Sequence, residues 1–246
     1  MGIGEAFAGE LAARGYDLAL AARSADALER IAERLCAAYG SAVDVIPVDL
    51  SDPARAESLV ARVEERFGRI DLLVNNAGFG ARGRFEEIDR ARQLEMIRLN
   101  VESLVALAHR VLPGMVARRS GGIINIGSTA AFQPVPYMAV YGATKAFVLS
   151  FSEALHEEYR SRGITVLGLN PGKTATNFFT VAGEVPLIGF ERTPAAVVKT
   201  GLRALEQKRG YAIDGPLNRI VAFSARLLPR GIIARVSAQL MGKGIA

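Results

Sequence analysis

Strand-length apolar runs alternate with stretches of helical periodicity along this 246-residue chain, and few folds accommodate that pattern. The runs lie at 17–22, 43–48, 70–74, 122–127, 164–169 and 211–214. Helical spacing of apolar residues marks the opening segment to Arg14 and the stretches 25–39, 51–67, 88–116, 141–159 and 194–207. Leu28, Ile31 and Leu35, on one face of the second of these, are typical. Strand–helix alternation is satisfied by a parallel sheet covered by helices on both faces. The expectation is an α/β, doubly wound parallel sheet. No repeat, low-complexity tract or linker divides it, so residues 1–246 read as a single domain.

Half of the residues are hydrophobic, enough for a substantial core. The formal net charge of +5 favours anionic ligands or surfaces. No basic block is interleaved with aromatics and Trp is absent, so nucleic acid is not an expected partner. The one cysteine, Cys36, excludes an internal disulfide and suits a reducing, cytoplasmic compartment. It reads as a small packing residue. No apolar run reaches membrane-spanning length and no signal peptide is visible. His109 and His156 lack metal-ligand spacing, so no metal is expected.

Ligands of open parallel sheets bind outside the carboxyl ends of the strands. The unusual residues of this chain gather at those ends: Arg23, Asp49, Asn75-Asn76-Ala77-Gly78, Ser128 and Pro171-Gly172. Each alone has a plain explanation as a turn or a helix cap; their clustering does not. After Ser128 a helix begins that carries Tyr141 and Lys145 four apart, one turn up the same face. A cation beside a phenol favours the phenolate, so the pair predicts a Tyr pKa lowered towards neutrality and a group able to exchange a proton there. Tyr-x-x-x-Lys alone is a common helical pair; its surroundings give it weight.

At the N-terminus, Gly2-Ile3-Gly4 opens a helix as the last glycines of a nucleotide-binding turn would. Such a turn normally follows a buried strand and an earlier glycine, and neither is present in the sequence.

With these residues assembled, the chain resembles the short-chain dehydrogenase/reductases over nearly its whole length, on Gly2-Ile3-Gly4, Asn75-Asn76-Ala77-Gly78, Asn100, Ser128, Tyr141-x-x-x-Lys145 and Pro171-Gly172 with Thr176. Within that family it is most similar to a bacterial group with an extended, basic C-terminal segment. The resemblance implies a Rossmann-like fold whose first strand is lacking here. That strand would lie at the centre of the sheet, so its loss predicts a gap, and the expectation is a misplaced start or a truncation, with roughly ten or more residues belonging upstream. Read otherwise, the chain is a truncated, non-catalytic nucleotide-binding or scaffold protein.

The resemblance further implies roles. Tyr141 is the proton donor to a carbonyl, or the base in the reverse direction. Lys145 lowers its pKa and binds the nicotinamide ribose. Ser128 holds the substrate oxygen and Asn100 organises a water on the proton path. Gly2, Ile3 and Gly4, with Asn76, Ala77 and Gly78, would form the cofactor bed. Asp49 and Leu50 would border the adenine, and Pro171, Gly172 and Thr176 the nicotinamide end. An acid about twenty residues past the glycines would select NAD; Arg23 and Ser24 stand there instead, and a guanidinium fork with a hydroxyl suits the 2′-phosphate of NADP(H). NAD(H) is the lesser expectation.

The expected substrate is a small hydrophobic carbonyl or alcohol, because the apolar residues 178–182 and 185–190 fall within the family's lid, 177–193. A homodimer or homotetramer is expected through the long helices, with Phe147, Phe151 and Leu155 as an apolar stripe. Residues 215–246 form a helical extension that Pro229 should break in two. Its apolar positions and its Arg219, Arg226, Arg230, Arg235 and Lys243 fit weak contact with an anionic membrane, a fold over the pocket, or part of an oligomer interface.

Overall fold

The computed structural model describes residues 2–52, 54–176, 178, 191–225 and 227–245. Strands β1 (Leu18–Ala22), β2 (Val43–Pro47), β3 (Leu72–Asn75), β4 (Gly121–Ile126), β5 (Ile164–Asn170) and β6 (Tyr211–Ile213) all pair in parallel. Helices α1 (Ile3–Ala13), α2 (Ala25–Tyr39), α3 (Ala54–Phe67), α4 (Arg90–Ile97), α5 (Ser103–Arg118), α6 (Ala139–Tyr159) and α7 (Pro194–Glu206) cover the faces, followed by α8 (Pro216–Ser224) and α9 (Arg230–Met241). The doubly wound parallel architecture and the break at Pro229 agree with the sequence expectation. None of the described helices is long and apolar enough to cross a membrane.

The centre of the sheet is β4 and β5. Ile123 and Val166 point into one apolar cluster with Val60, Leu107, Val111 and Met115 of α3 and α5. Ile124, Ile126, Leu167 and Leu169 point into the other, with Phe7 and Leu11 of α1 and Val197, Val198 and Leu202 of α7. Every residue of β5 is buried, as a strand covered on both faces must be.

The sheet is nevertheless in two pieces. Strands β3-β4-β5-β6 form one and β1-β2 the other, and no described strand joins β1 to β3. A cavity of about 1250 Å³ lies between them. It is bounded by β1 and β3 at the sides, Phe7, Ala8 and Leu11 of α1 on one face and Leu59, Val60, Leu104 and Leu107 on the other. It runs the full height of the sheet, from Tyr16 and Ile70 at the amino ends to Arg23, Asp49 and Asn75 at the carboxyl ends. Ala19 and Ala22 of β1 are consequently exposed, although they sit in the interior of a parallel sheet. The sequence reading expected a gap in the sheet, and the space between β1 and β3 is where it falls.

Three expectations are corrected. The segment 88–116 is not one regular helix: a π-helical turn, Arg98–Glu102, separates α4 from α5 and contains Asn100. Cys36 does not pack inward; it is exposed on α2, off the buried face of Leu28, Ala32 and Leu35. Of the apolar stripe on α6, only Phe147 is exposed. Phe151 and Leu155 pack against the α3–α5 cluster of their own chain, with the two Phe rings stacked at 5.5 Å.

Candidate active site

Strand β4 ends at Ile126 and delivers Ser128 to the carboxyl edge of the sheet, where its extended backbone (φ −168°) opens a short 3-10 turn. Its hydroxyl accepts the Ala130 N–H at 3.1 Å, and its own N–H donates to Asn170 Oδ1 at 3.3 Å. Gly127 is needed for that approach, because a Cβ there would fall 2.2 Å from Asn170 Oδ1. Helix α6 then turns Tyr141, Thr144 and Lys145 inward, onto the face that continues through Val148 and Ser152.

The geometry corrects the expected electrostatics of the pair. Lys145 Nζ donates to the Ile126 carbonyl at 2.8 Å and stands 5.8 Å from the centre of the Tyr141 ring. Both side chains are buried, and burial disfavours whichever form is charged. The Tyr141 phenol is therefore pushed up to about 12, against the opposing pull of its hydrogen bond with Ser128. Lys145 is pushed down to about 8 by the same burial. The neighbouring ammonium does not bring the phenol towards neutrality here; the neutral phenol is the dominant form at physiological pH.

Asn100 is 1 % exposed and fully engaged. Its Oδ1 accepts the Phe79 N–H at 3.1 Å, and its Nδ2 donates to the Phe79 carbonyl at 3.0 Å and to Thr144 Oγ1 at 3.1 Å. The wide π turn carries this amide towards the loop after β3 and towards α6 together. A Cβ on Gly78 would fall 2.9 Å from Asn100 Oδ1 and 3.7 Å from Lys145 Nζ, so a side chain there would wedge into the site. Tyr141, Lys145, Ser128 and Asn100 thus meet at one edge, with the Tyr141 ring 5.3 Å from that of Phe178.

The residues read as a nucleotide bed fall along the same edge. Gly2 is the N-cap of α1 and provides no side-chain cap, which leaves the first N–H groups of an 11-residue helix open to an anion. Gly4 lets Asn76 close in, since a Cβ would sit 2.6 Å from Asn76 Nδ2. Asn76, Ala77 and Gly78 are exposed along the cavity. Ile3 is a packing residue of the α1–α7 cluster rather than a surface of the bed. Arg23 is largely exposed and pairs with Glu95 at 3.4 Å. Ser24 occupies the N-cap of α2 without bonding the helix through its hydroxyl. Asp49 uses its carboxylate to accept the Ser51 N–H at 2.9 Å, which holds its pKa below the usual range, with Arg23 adding a smaller pull. Leu50 is buried in the α3–α5 cluster, so it borders a ligand less than it supports the floor. Pro171 accepts the Thr129 N–H through its carbonyl, Gly172 lies against Asn218 of α8, and Thr176 Oγ1 accepts the Phe178 N–H. Helix N-terminus, glycine approach, guanidinium and hydroxyl make a donor set that fits a phosphorylated dinucleotide. Most of the lid, 177 and 179–190, lies outside the described residues.

The sequence reading singled out Asn75 but missed the buried polar chain beneath the site to which it belongs. Asn75 Nδ2 donates to Asn125 Oδ1, Asn125 Nδ2 to Ser152 Oγ, and Ser152 Oγ to the Val148 carbonyl. Asn170 Nδ2 donates to the Gly168 carbonyl while its Oδ1 receives Ser128. These bonds tie β3, β4, β5 and α6 at the level of the carboxyl edge. Besides Asn75, the signal was an asparagine inside the run Ile123-Ile124-Asn125-Ile126, which strand length does not explain.

Comparison with known proteins agrees with this geometry. A family model described as short chain dehydrogenase matches residues 1–184. "Hydroxysteroid dehydrogenase-like protein 1" of Gallus gallus is 38% identical over 71% of this chain, a match that spans 53% of its own length. "Very-long-chain 3-oxoacyl-CoA reductase" of Bos taurus is 30% identical over 96% of this chain and 75% of its own. Among solved structures, a short-chain dehydrogenase from Sphingobium yanoikuyae in complex with NADPH superposes with TM-score 0.82 at 34% identity, covering 95% of this chain and 91% of that one. The chain belongs to the short-chain dehydrogenase family.

Proposed function

We propose that the protein is an NADP(H)-dependent oxidoreductase that reduces the carbonyl of a hydrophobic small molecule. The observation that carries this reading is the meeting of Ser128, Tyr141, Lys145 and Asn100 at the carboxyl edge, beside the open N-terminus of α1. When bound, the nicotinamide would supply the hydride. The chain's own task is to place the carbonyl and deliver a proton. Ser128 holds the carbonyl oxygen and stabilises charge developing there. Tyr141 donates its phenolic proton to that oxygen.

Burial keeps the Tyr141 phenol protonated near neutral pH, so the proton to be donated is in place. Lys145 stands 2.8 Å from the Ile126 carbonyl, between Tyr141 and the bed, and would orient the nicotinamide ribose. Asn100 fixes the loop at Phe79 and the Tyr141 turn together. The apolar wall of Phe178, Met138, Val135 and Ala81 around Tyr141 supports a lipophilic substrate. A 3-oxoacyl carbonyl, as in the name of the bovine relative, falls in that class.

Oxidation of NADPH with a panel of aliphatic and polycyclic ketones tests the reading. Turnover of any member supports it; binding of NADPH with no oxidation across the panel would favour a nucleotide-binding scaffold. Exposed Arg23 beside Ser24 supports selection of the 2′-phosphate. Arg23→Asp should lower the preference for NADPH over NADH by tenfold or more, about the worth of one charge-assisted contact; equal Michaelis constants in the variant and the parent would make Arg23 a surface residue. Exposed Leu94 and Ile97 of α4 and Phe147 of α6 support pairing with a second copy. A monomeric mass by light scattering at micromolar concentration would refute the dimer or tetramer.

A further inference from the structure

The two C-terminal helices present an apolar face that the enzyme does not cover. Helix α8 buries Asn218 and Ala222, and α9 buries Ile233, Ser237 and Met241. These inner faces hold the helices to the body. Their outer faces, with the turn between them, carry Ile220, Phe223, Leu227, Leu228, Ile232 and Val236, each between 47% and 70% exposed. Apolar residues usually face inward on a surface helix, and scattered exceptions mean little; six large ones on two adjoining helices and the turn that joins them do not scatter.

Charge narrows what can cover this face. From 215 to 246 the sequence contains Arg219, Arg226, Arg230, Arg235 and Lys243 and no Asp or Glu. Arg230, Arg235 and Lys243 are exposed, and none forms an ion pair with an acid among the described residues. A second copy docked by two-fold symmetry would set like charges against like. We infer that α8 and α9 dock the protein on an anionic lipid surface, with Phe223, Leu227 and Leu228 entering the acyl boundary and the arginines at headgroup level.

The same helices are fastened to the catalytic edge. Arg82, on the loop after β3, donates to the Met241 carbonyl at 2.7 Å and also to that of Lys243. Met241 packs in the cluster that contains Tyr141 and Met138. Gly242 lies against the Tyr137 ring, where a Cβ would be 2.9 Å from Cε2. Docking therefore sets the apolar wall of the site close to the lipid, where lipophilic carbonyls dissolve. The inference rests on α8 and α9 alone, so it stands or falls separately from the catalytic reading.

Co-sedimentation of the full chain with vesicles tests it. Vesicles of three parts phosphatidylcholine to one part phosphatidylserine should bind the protein at low salt, and pure phosphatidylcholine should bind it at least tenfold less. Binding to the anionic vesicles should weaken with added salt. Phe223→Glu with Leu227→Glu should abolish it, and Arg230→Gln with Arg235→Gln should weaken it roughly fivefold per charge removed. All four positions are exposed, so the fold should persist; an unchanged circular dichroism spectrum and thermal midpoint check this. Failure of the parent to bind anionic vesicles at low salt would overturn the inference. So would undiminished binding by the Glu variants, or a halved solution mass in those variants without lipid binding by the parent, which would make the face an interface between copies.

Discussion

At Lys145 and Tyr141, sequence and structure make opposite statements about the same chemistry. Four-residue spacing places them on one face of α6, and that much is fixed by helix geometry. The direction of the pKa shifts is not, because it depends on burial by residues far away in the chain. Here desolvation wins over the mutual effect, raising the phenol and lowering the ammonium. The lysine shift has a consequence for stability. Lysine titrates near 10.5 when unfolded and near 8 in the fold. Between those values the unfolded chain holds the extra proton, so stability rises with pH across that window, and the penalty is fully present below it. Its size is about 3 kcal/mol. Tyr141 acts in the other sense above pH 10, but equally in a variant that lacks only the lysine. Lys145→Met removes the lysine titration. Urea unfolding should show the parent gaining on that variant by about 3 kcal/mol from pH 7 to 10.5. A difference that does not change with pH would mean that Lys145 keeps an ordinary pKa in the fold.

At the scale of elements, the strands and most helices were legible because their periods are. Leu72–Asn75 and Ile164–Asn170 are apolar runs ended by asparagine, and they became β3 and β5. The π turn around Asn100 was not legible: an extra residue in a helical turn hardly disturbs an apolar pattern, yet it moves a polar side chain from outside to inside. The Asn75–Asn125–Ser152 chain was hidden for a related reason, since pairing across β3, β4 and α6 is set by register and not by neighbours in sequence.

The cavity between β1 and β3 was foreseen, and its dimensions make it consequential. Two strand edges face it with unpaired backbone groups, between apolar surfaces of α1 on one side and of α3 and α5 on the other. An extended apolar segment of about six residues, joined by a short turn ahead of Gly2, would pair with both edges. Burial of three or four large side chains should raise stability by about 5 kcal/mol or more. Hydrogen exchange should slow at Ala21 and Val74 in the extended protein, because in the parallel register their N–H groups face the gap while those of Leu20 and Leu73 face β2 and β4. An unchanged unfolding midpoint and unchanged exchange would show that the two sheets do not form a receptor for a strand.

Over the whole molecule, the site lies where three apolar clusters meet the carboxyl ends of the strands. One cluster carries α1 and its open N-terminus, one carries the π turn that aims Asn100, and the third joins Tyr141 to Met241 of the last helix. The candidate active site, the nucleotide bed proposed beside it and the C-terminal helices are therefore fastened to one rim. The central claim is that Tyr141 delivers the proton in carbonyl reduction, and Tyr141→Phe tests it most directly, because the substitution keeps the ring against Phe178 and removes only the hydroxyl. With a ketone that the parent reduces, the variant should lose between about a hundredfold and ten-thousandfold in kcat, the usual worth of a general acid. Its dissociation constant for NADPH, measured by fluorescence titration, should stay within about twofold of the parent, a change of under 0.5 kcal/mol. Near-normal turnover by Tyr141→Phe, with NADPH still bound, would contradict the account.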